Sequence, residues 1–349
     1  MIPVTVLTGF LGSGKTTVLN HLLRQPGMEG TAVIVNEFGA VGLDHLLIAS
    51  PGEQFALLDN GCVCCTVRSD LVETLKDLVS RVASDALPPV NRVLLETTGL
   101  ADPAPILHTL MIEPELSKQF CIGGVVTTVD AVNGLATLDR HPEAVKQVAI
   151  ADRLLLTKTD LASPDALARR LHYSNPTAER IVARHGAIDA SALLHITPVG
   201  SRPDNVLAWL GNHDACDHDH NSHHHGIQSY SFTIAQPVEW SALARWFEYV
   251  TALKGAELLR LKGLINVAGS DRPLVVHGVQ HVIHPPVRLD AWPSDDRRTR
   301  LVFIVRDIPR AAIERTLAKF ACIDAGGSDG PPKASAMVRE TGRPLEVTP

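Results

Sequence analysis

The sequence lacks any hydrophobic run long enough to cross a bilayer as a helix, so no membrane span is expected. Its first apolar run, Ile2 to Leu7, is too short for a secretory core, has no basic start and passes directly into a glycine-rich stretch. No targeting segment is therefore expected, and the chain is expected to be cytoplasmic. No long basic run is present either, and the formal charge is -6 at neutral pH, so a nucleic-acid partner held through phosphate contacts is not expected. Cysteine is scarce, six residues in 349, yet three of the six fall between positions 62 and 65. In a reducing compartment such thiols are free or metal-bound rather than disulfide-linked. Internal repeats are absent. What remains, 45% hydrophobic and 20% charged, is the composition of an ordinary soluble chain with room for two domains.

What is present is organised around Gly9 to Thr17, GFLGSGKTT, between the apolar run and an amphipathic stretch from Thr16 to Arg24. Gly9, Gly14, Lys15 and Thr16 satisfy the phosphate-loop pattern G-x-x-x-x-G-K-[ST]. Glycines at 9, 12 and 14 let the backbone turn tightly and, with Ser13 and Thr17, aim successive N–H groups at an anion, while the following helix adds its positive N-terminal end. Lys15 would reach the β- and γ-phosphates, and the Thr16 hydroxyl would ligate the Mg²⁺ that accompanies a nucleoside triphosphate.

Downstream, short β-branched runs alternate with helical spacing. Thr31 to Val35, Gln54 to Asp59, Val90 to Glu96, Ile122 to Asp130 and Arg153 to Thr157 read as strands. An apparent capping box at Asp70 to Glu73 opens a helix to about Ala83, and another helix runs near Glu143 to Ala151. Right-handed crossovers then give an α/β fold, a P-loop NTPase parallel sheet with helices on both faces. Glu96 ends its strand in ETTG, where a carboxylate faces the ligand crevice and suits a second-shell or water-mediated Mg²⁺ contact. Glu37 and Asp44, on the loop after Val35, are candidates for sensing the γ-phosphate.

The run Leu154 to Asp160 ends in TKTD, a variant of the N-K-x-D guanine signature. Asp160 can accept from N1–H and the exocyclic amine of guanine together, a pair that adenine lacks. Lys158 would lay its stem along the base, and Thr157, in the usual Asn place, is expected to weaken the tie to the phosphate loop. The competing reading is that Asp160 only caps a helix beginning near Ser163.

The alternation stops in a polar, histidine-laden stretch. The boundaries expected are a GTPase domain over 1–200, a linker over 201–226, a smaller C-terminal α+β domain over 227–322, and a disordered tail over 323–349. In the second domain a strand is expected over Gln228 to Ile234. A helix with Leu243, Trp246, Phe247, Val250 and Leu253 inward follows, then strands near 257–267, 273–279 and 300–306. A last helix carries Ile313, Leu317 and Phe320.

Cys62, Cys64 and Cys65 form C-x-C-C, a thiolate set for Zn²⁺, Cu⁺ or another soft to borderline ion. One ion would take two of the three, because adjacent cysteines point apart, and an incompletely closed shell suits an exchangeable cargo. A dithiol redox role is the competing chemistry. In the linker His218, His220, His223, His224 and His225, with His213 and Cys216, suit a low-specificity metal collector or a merely solvated segment.

Together GFLGSGKTT, NEFG, NGCVCC, ETTGLADP, LLLTKTD, LLRLKG and HGVQ resemble the CobW family of GTPases, in its YjiA-like branch. The likeness extends over nearly all of residues 1 to 320. It implies a SIMIBI-type G domain joined to a smaller C-terminal domain, with GTP and Mg²⁺ on Gly12 to Thr17 and Asp160. It further implies Zn²⁺ or Co²⁺ carried at Cys62, Cys64 and Cys65 and delivered to a client metalloprotein with GTP hydrolysis. Assistance to cobalt, iron or cobalamin enzyme maturation, a phosphotransferase on the same loop, and a metal- or nucleotide-dependent homodimer all stay open.

Overall fold

A computed structural model describes residues 1–35, 45–50, 53–59, 67–193, 196, 204–211 and 226–321. The chain opens with β1 (Ile2–Gly9), α1 (Lys15–Leu22), β2 (Thr31–Val35), β3 (His45–Ser50), β4 (Glu53–Asp59), α2 (Val67–Ala83) and β5 (Arg92–Glu96). It continues through α3 (Ala104–Ile112), α4 (Leu116–Gln119), β6 (Phe120–Asp130), α5 (Gly134–Arg140), α6 (Pro142–Ile150), β7 (Arg153–Thr157), α7 (Asp165–Ser174) and β8 (Glu179–Ala183). These strands form one sheet in the order β4-β3-β2-β5-β1-β6-β7-β8.

From β2 to β8 the pairing is parallel, as the strand-helix alternation implies. Alternate residues of the central strands feed two helical layers. Val4, Val6, Val93 and Leu95 pack with Leu71, Leu75 and Leu78 of α2 on one side. Leu7, Leu94, Val126 and Leu155 pack with Val18, Leu19 and Leu22 of α1 on the other. Burial on both faces is why these strands are continuously apolar.

In this first unit two details differ from the sequence reading. The expected all-parallel sheet carries an antiparallel hairpin, because HLLIAS at 45–50 is a further strand, separated in sequence by Pro51-Gly52 from β4 and paired antiparallel with both β2 and β4. The helix expected from a capping box at Asp70 instead begins at Val67, so Asp70 lies within it. An acidic residue suits the first turn of a helix as well as its cap.

After α8 (Asp204–Leu210), the second unit comprises β9 (Ile227–Ile234), α9 (Trp240–Lys254), β10 (Leu258–Ile265), β11 (Leu274–Val279), β12 (Val282–Ile283), β13 (Val287–Arg288), β14 (Thr299–Arg306) and α10 (Arg310–Ala321). Its sheet, ordered β12-β11-β10-β14-β9 with β13 on β11, is antiparallel throughout. One face packs Leu261, Val276, Leu301 and Phe303 against Leu243, Trp246 and Phe247 of α9 and Ile313 and Leu317 of α10. Leu253, expected inward, is 61% exposed, since Val250 is the last hydrophobic residue of α9 to reach that core. The opposite face meets the first unit: Val279 joins the core under β1 and β5, and Leu259 packs on Ala149 of α6.

Candidate functional site

The glycine-rich loop leaves β1 at the middle of the parallel sheet, between β5 and β6. Gly9 has φ 142°, and a Cβ there would stand 2.2 Å from Thr128 Oγ1, so only glycine fits the close approach of loop to β6. Gly14 precedes α1 with φ 95°, and no side chain caps that N-terminus, which leaves its amides for an anion. Lys15 is buried, its Nζ donating to the carbonyls of Gly9 (3.0 Å) and Phe10 (3.3 Å) across the cradle.

Thr16 Oγ1 donates to Glu96 Oε1 at 2.7 Å. Two residues eighty positions apart in the chain, each picked as a Mg²⁺ candidate, thus meet at the mouth of the cradle. A hydroxyl and a carboxylate are hard oxygen donors of the kind Mg²⁺ takes, so the donor set fits that ion. Beneath them Thr97 Oγ1 donates to Thr8 Oγ1 (2.8 Å), fastening β5 to β1.

On the other flank the TKTD loop docks onto the cradle. Thr157 Oγ1 donates to the Ser13 carbonyl at 2.7 Å, while Ser13 Oγ and Thr128 Oγ1 lie 2.6 Å apart. Threonine stands in the usual asparagine position, and its hydroxyl makes the tie to the loop directly. Lys158 adopts φ 55° and places Nζ 2.6 Å from Asp130 Oδ2. Burial alone would raise the Asp130 carboxyl, but bonds from Lys158, Asn133 and the Val132 amide outweigh it and hold it below the usual range.

Asp160 is partly exposed, with His185 Nδ1 3.8 Å from its Oδ2. The turn that carries His185 was passed over in the sequence. Gly186, at φ 80°, abuts Thr17, where a Cβ would come within 2.9 Å of the Thr17 side chain and carbonyl oxygen, so the loop after β8 also walls the cradle. The available signal was a His-Gly pair directly after a strand, a turn signature that did not declare its partner.

Glu37, Asp44, Cys62, Cys64, Cys65 and the histidines His218, His220, His223, His224 and His225 lie outside the described residues, as do His213 and Cys216. The last described residue before the cysteines is Asp59. Asp59 at the end of β4 stands opposite His45, Leu46 opposite Ile34, and Val35 opposite Glu96. Asp59 thus lies at the same end of the sheet as Glu96, three strands away, or about 14 Å at the usual interstrand spacing.

Two family models cover the chain. The CobW/HypB/UreG nucleotide-binding domain matches residues 3–181, and the cobalamin synthesis protein cobW C-terminal domain matches residues 227–321. The chain belongs to the CobW family. Among CobW-family relatives, the zinc chaperone YjiA of Escherichia coli is 33% identical over 318 residues, covering 91% of this chain and 98% of that protein. The zinc chaperone CobW of a Sinorhizobium species is 31% identical, with 90% and 96% covered. The crystal structure of Zn(II)-bound YjiA GTPase from E. coli superposes with a TM-score of 0.71 at 30% identity, covering 91% of this chain and 98% of that one. No helix among the described residues is long and apolar enough to cross a membrane.

Proposed function

We propose that this protein is a Mg²⁺-dependent GTP hydrolase that carries Zn²⁺ at Cys62, Cys64 and Cys65 and hands it to a client metalloprotein. The observation that carries the catalytic half is the 2.7 Å contact of Thr16 with Glu96, at the start of a helix that opens from a glycine cradle. Family membership and zinc-chaperone relatives support the cargo half.

In this reading the cradle amides from Gly12 to Thr17 hold the phosphates, and Lys15 exchanges two loop carbonyls for the β- and γ-phosphate oxygens. Thr16 and Glu96 would hold Mg²⁺, which when bound neutralises charge developing on the phosphates. Thr157, by gripping Ser13, keeps the base-reading loop in register with the phosphate loop. Asp160 accepts from guanine, and the His185–Gly186 turn closes the side of the pocket.

The test is a zinc titration of one preparation with GDP and with a non-hydrolysable GTP analogue, repeated on Cys64→Ala. Tight zinc binding that depends on the nucleotide, and is lost in Cys64→Ala while GTP affinity holds, is the expected result. Unchanged zinc binding in Cys64→Ala would discredit the cysteine site.

A further inference from the structure

Where the second sheet meets the first unit, a buried ionic cluster joins the two. Asp152, directly before β7, is 0% exposed at its side chain, and Arg260 and Lys262 of β10 are each 1% exposed. Arg260 Nη2 and Lys262 Nζ approach the same oxygen, Asp152 Oδ1, at 2.6 and 3.2 Å. Lys262 also donates to the Trp209 carbonyl (2.9 Å) and lies over the indole ring, 5.1 Å from its centroid. A register shift in the β10–β14 ladder between Leu258 and Arg260 lets Leu259 and Arg260 both face the first unit, a device by which bulges re-aim side chains. Two cations for one carboxylate, in a place without solvent, is more than cohesion asks; apolar residues hold such interfaces at least as well.

What distinguishes Asp152 is what it grips. Its Oδ2 accepts from the Val125 amide (3.0 Å) and its own amide donates to the Val125 carbonyl (2.8 Å), so it pins the root of β7 to the middle of β6. The tips of the same two strands converge on one residue of the cradle. Thr128 touches Ser13 Oγ from β6, and Thr157 donates to the Ser13 carbonyl from β7. Root and tip of β7 are five residues apart, about 16 Å, and both strands pack into apolar cores that pass on a displacement rather than absorb it.

We infer that Arg260 and Lys262 are positioning residues for the nucleotide site: docking of the C-terminal sheet sets the placement of β6 and β7, and through Ser13 the geometry of the phosphate cradle. The inference rests on reading Gly9 to Thr17 as that cradle, and it makes the second domain a determinant of nucleotide affinity rather than an appendage.

The decisive variant in the full-length protein is Arg260→Met, which leaves Asp152 and Lys262 as a balanced pair and so preserves folding; Lys262→Met is the alternative should the first not fold. At a temperature where circular dichroism reports complete folding, KM for GTP and Kd for GDP should rise together, roughly fivefold or more, with kcat within about twofold. Thr157→Val should weaken nucleotide binding by itself, and the double variant should lose at least about threefold less than the product of the two single losses. A folded Arg260→Met with nucleotide affinity within about twofold of the parent, or single effects that multiply in the double variant, overturns the proposal. Lys15→Ala is the separate control: full nucleotide binding there would remove the cradle reading itself.

Discussion

Replacing Asp152 by Asn isolates charge from shape at the junction of the two units. The amide oxygen can still accept from the Val125 amide, so the backbone tie to β6 survives, but Arg260 and Lys262 are left buried without an anion. Breaking a buried pair in this way costs about 3 to 5 kcal/mol, because the orphaned charge keeps its desolvation penalty. For a chain of 349 residues that is a drop of roughly 4 to 7 °C in melting temperature. Part of the cost is escapable. Burial already depresses the Lys262 amine to about 8 despite Asp152 beside it, and without Asp152 the amine would titrate lower still. The variant therefore sheds the Lys262 proton at a lower pH than the parent does, and its deficit should shrink as pH is raised from 6 toward 8. Urea unfolding followed by circular dichroism at pH 6, 7 and 8 measures this. Substituting all three residues by Leu, Met and Met should lie within about 2 kcal/mol of the parent, since no charge is then stranded. A loss under about 1 kcal/mol in Asp152→Asn, or a deficit that does not change with pH, would refute the account.

Acidification should destabilise the same junction. Burial, followed by Arg260, holds His284 down to about 4, and its stacked neighbour His277 is held well below the ordinary value by burial, then by His284, Arg260 and Lys262. The unfolded chain binds these protons first, so stability present above about pH 6.5 falls as pH drops toward 4, by at most about 3 kcal/mol for His284, and His284→Phe should flatten that limb of the melting profile. Gly9→Ala would drive a Cβ into Thr128 at a φ of 142°, costing of the order of 1 to 3 kcal/mol in backbone strain; undiminished GTP binding in that variant would contradict the cradle geometry. Asp160→Asn should lower GTP affinity tenfold or more, at about 1 to 3 kcal/mol for the lost guanine contacts, and favour xanthosine triphosphate, as competition binding would report.

The parts of the site that were legible in the sequence are those whose chemistry is local. GFLGSGKTT carries its own turn glycines, lysine and hydroxyl within nine positions, and the apolar run before it placed the loop at a strand-to-helix junction. TKTD likewise follows an apolar run that places it at the end of a strand. The tie from Thr157 to Ser13 depends on how closely two loops approach, which residue identity does not encode. Gly186 against Thr17 belongs to the same class, a contact between residues distant in sequence. In LLRLKG, alternation of apolar and basic residues is the pattern of a strand with one wet face. Arg260 and Lys262 are buried instead, because their partner Asp152 lies 108 positions from Arg260 and only the docking of the two sheets brings it there.

In the proposed reading cargo and nucleotide must communicate. Mg²⁺ on Thr16 and Glu96 would sit among hard oxygens, whereas the cysteines offer soft sulfur, so the two ions sort by ligand chemistry without a physical barrier. Asp59, the last described residue before the cysteines, stands three interstrand spacings, about 14 Å, from Glu96. In the proposed carrier, the chain from the β2 end beside Glu96 to the β4 end at Asp59, which includes Glu37 and Asp44 in sequence, links the two sites. Such coupling is reciprocal: whatever factor GTP contributes to zinc affinity, zinc contributes to GTP affinity. A carrier that loads in one nucleotide state and releases in the other needs that factor to change with hydrolysis, and loss of the γ-phosphate is the one chemical difference between those states.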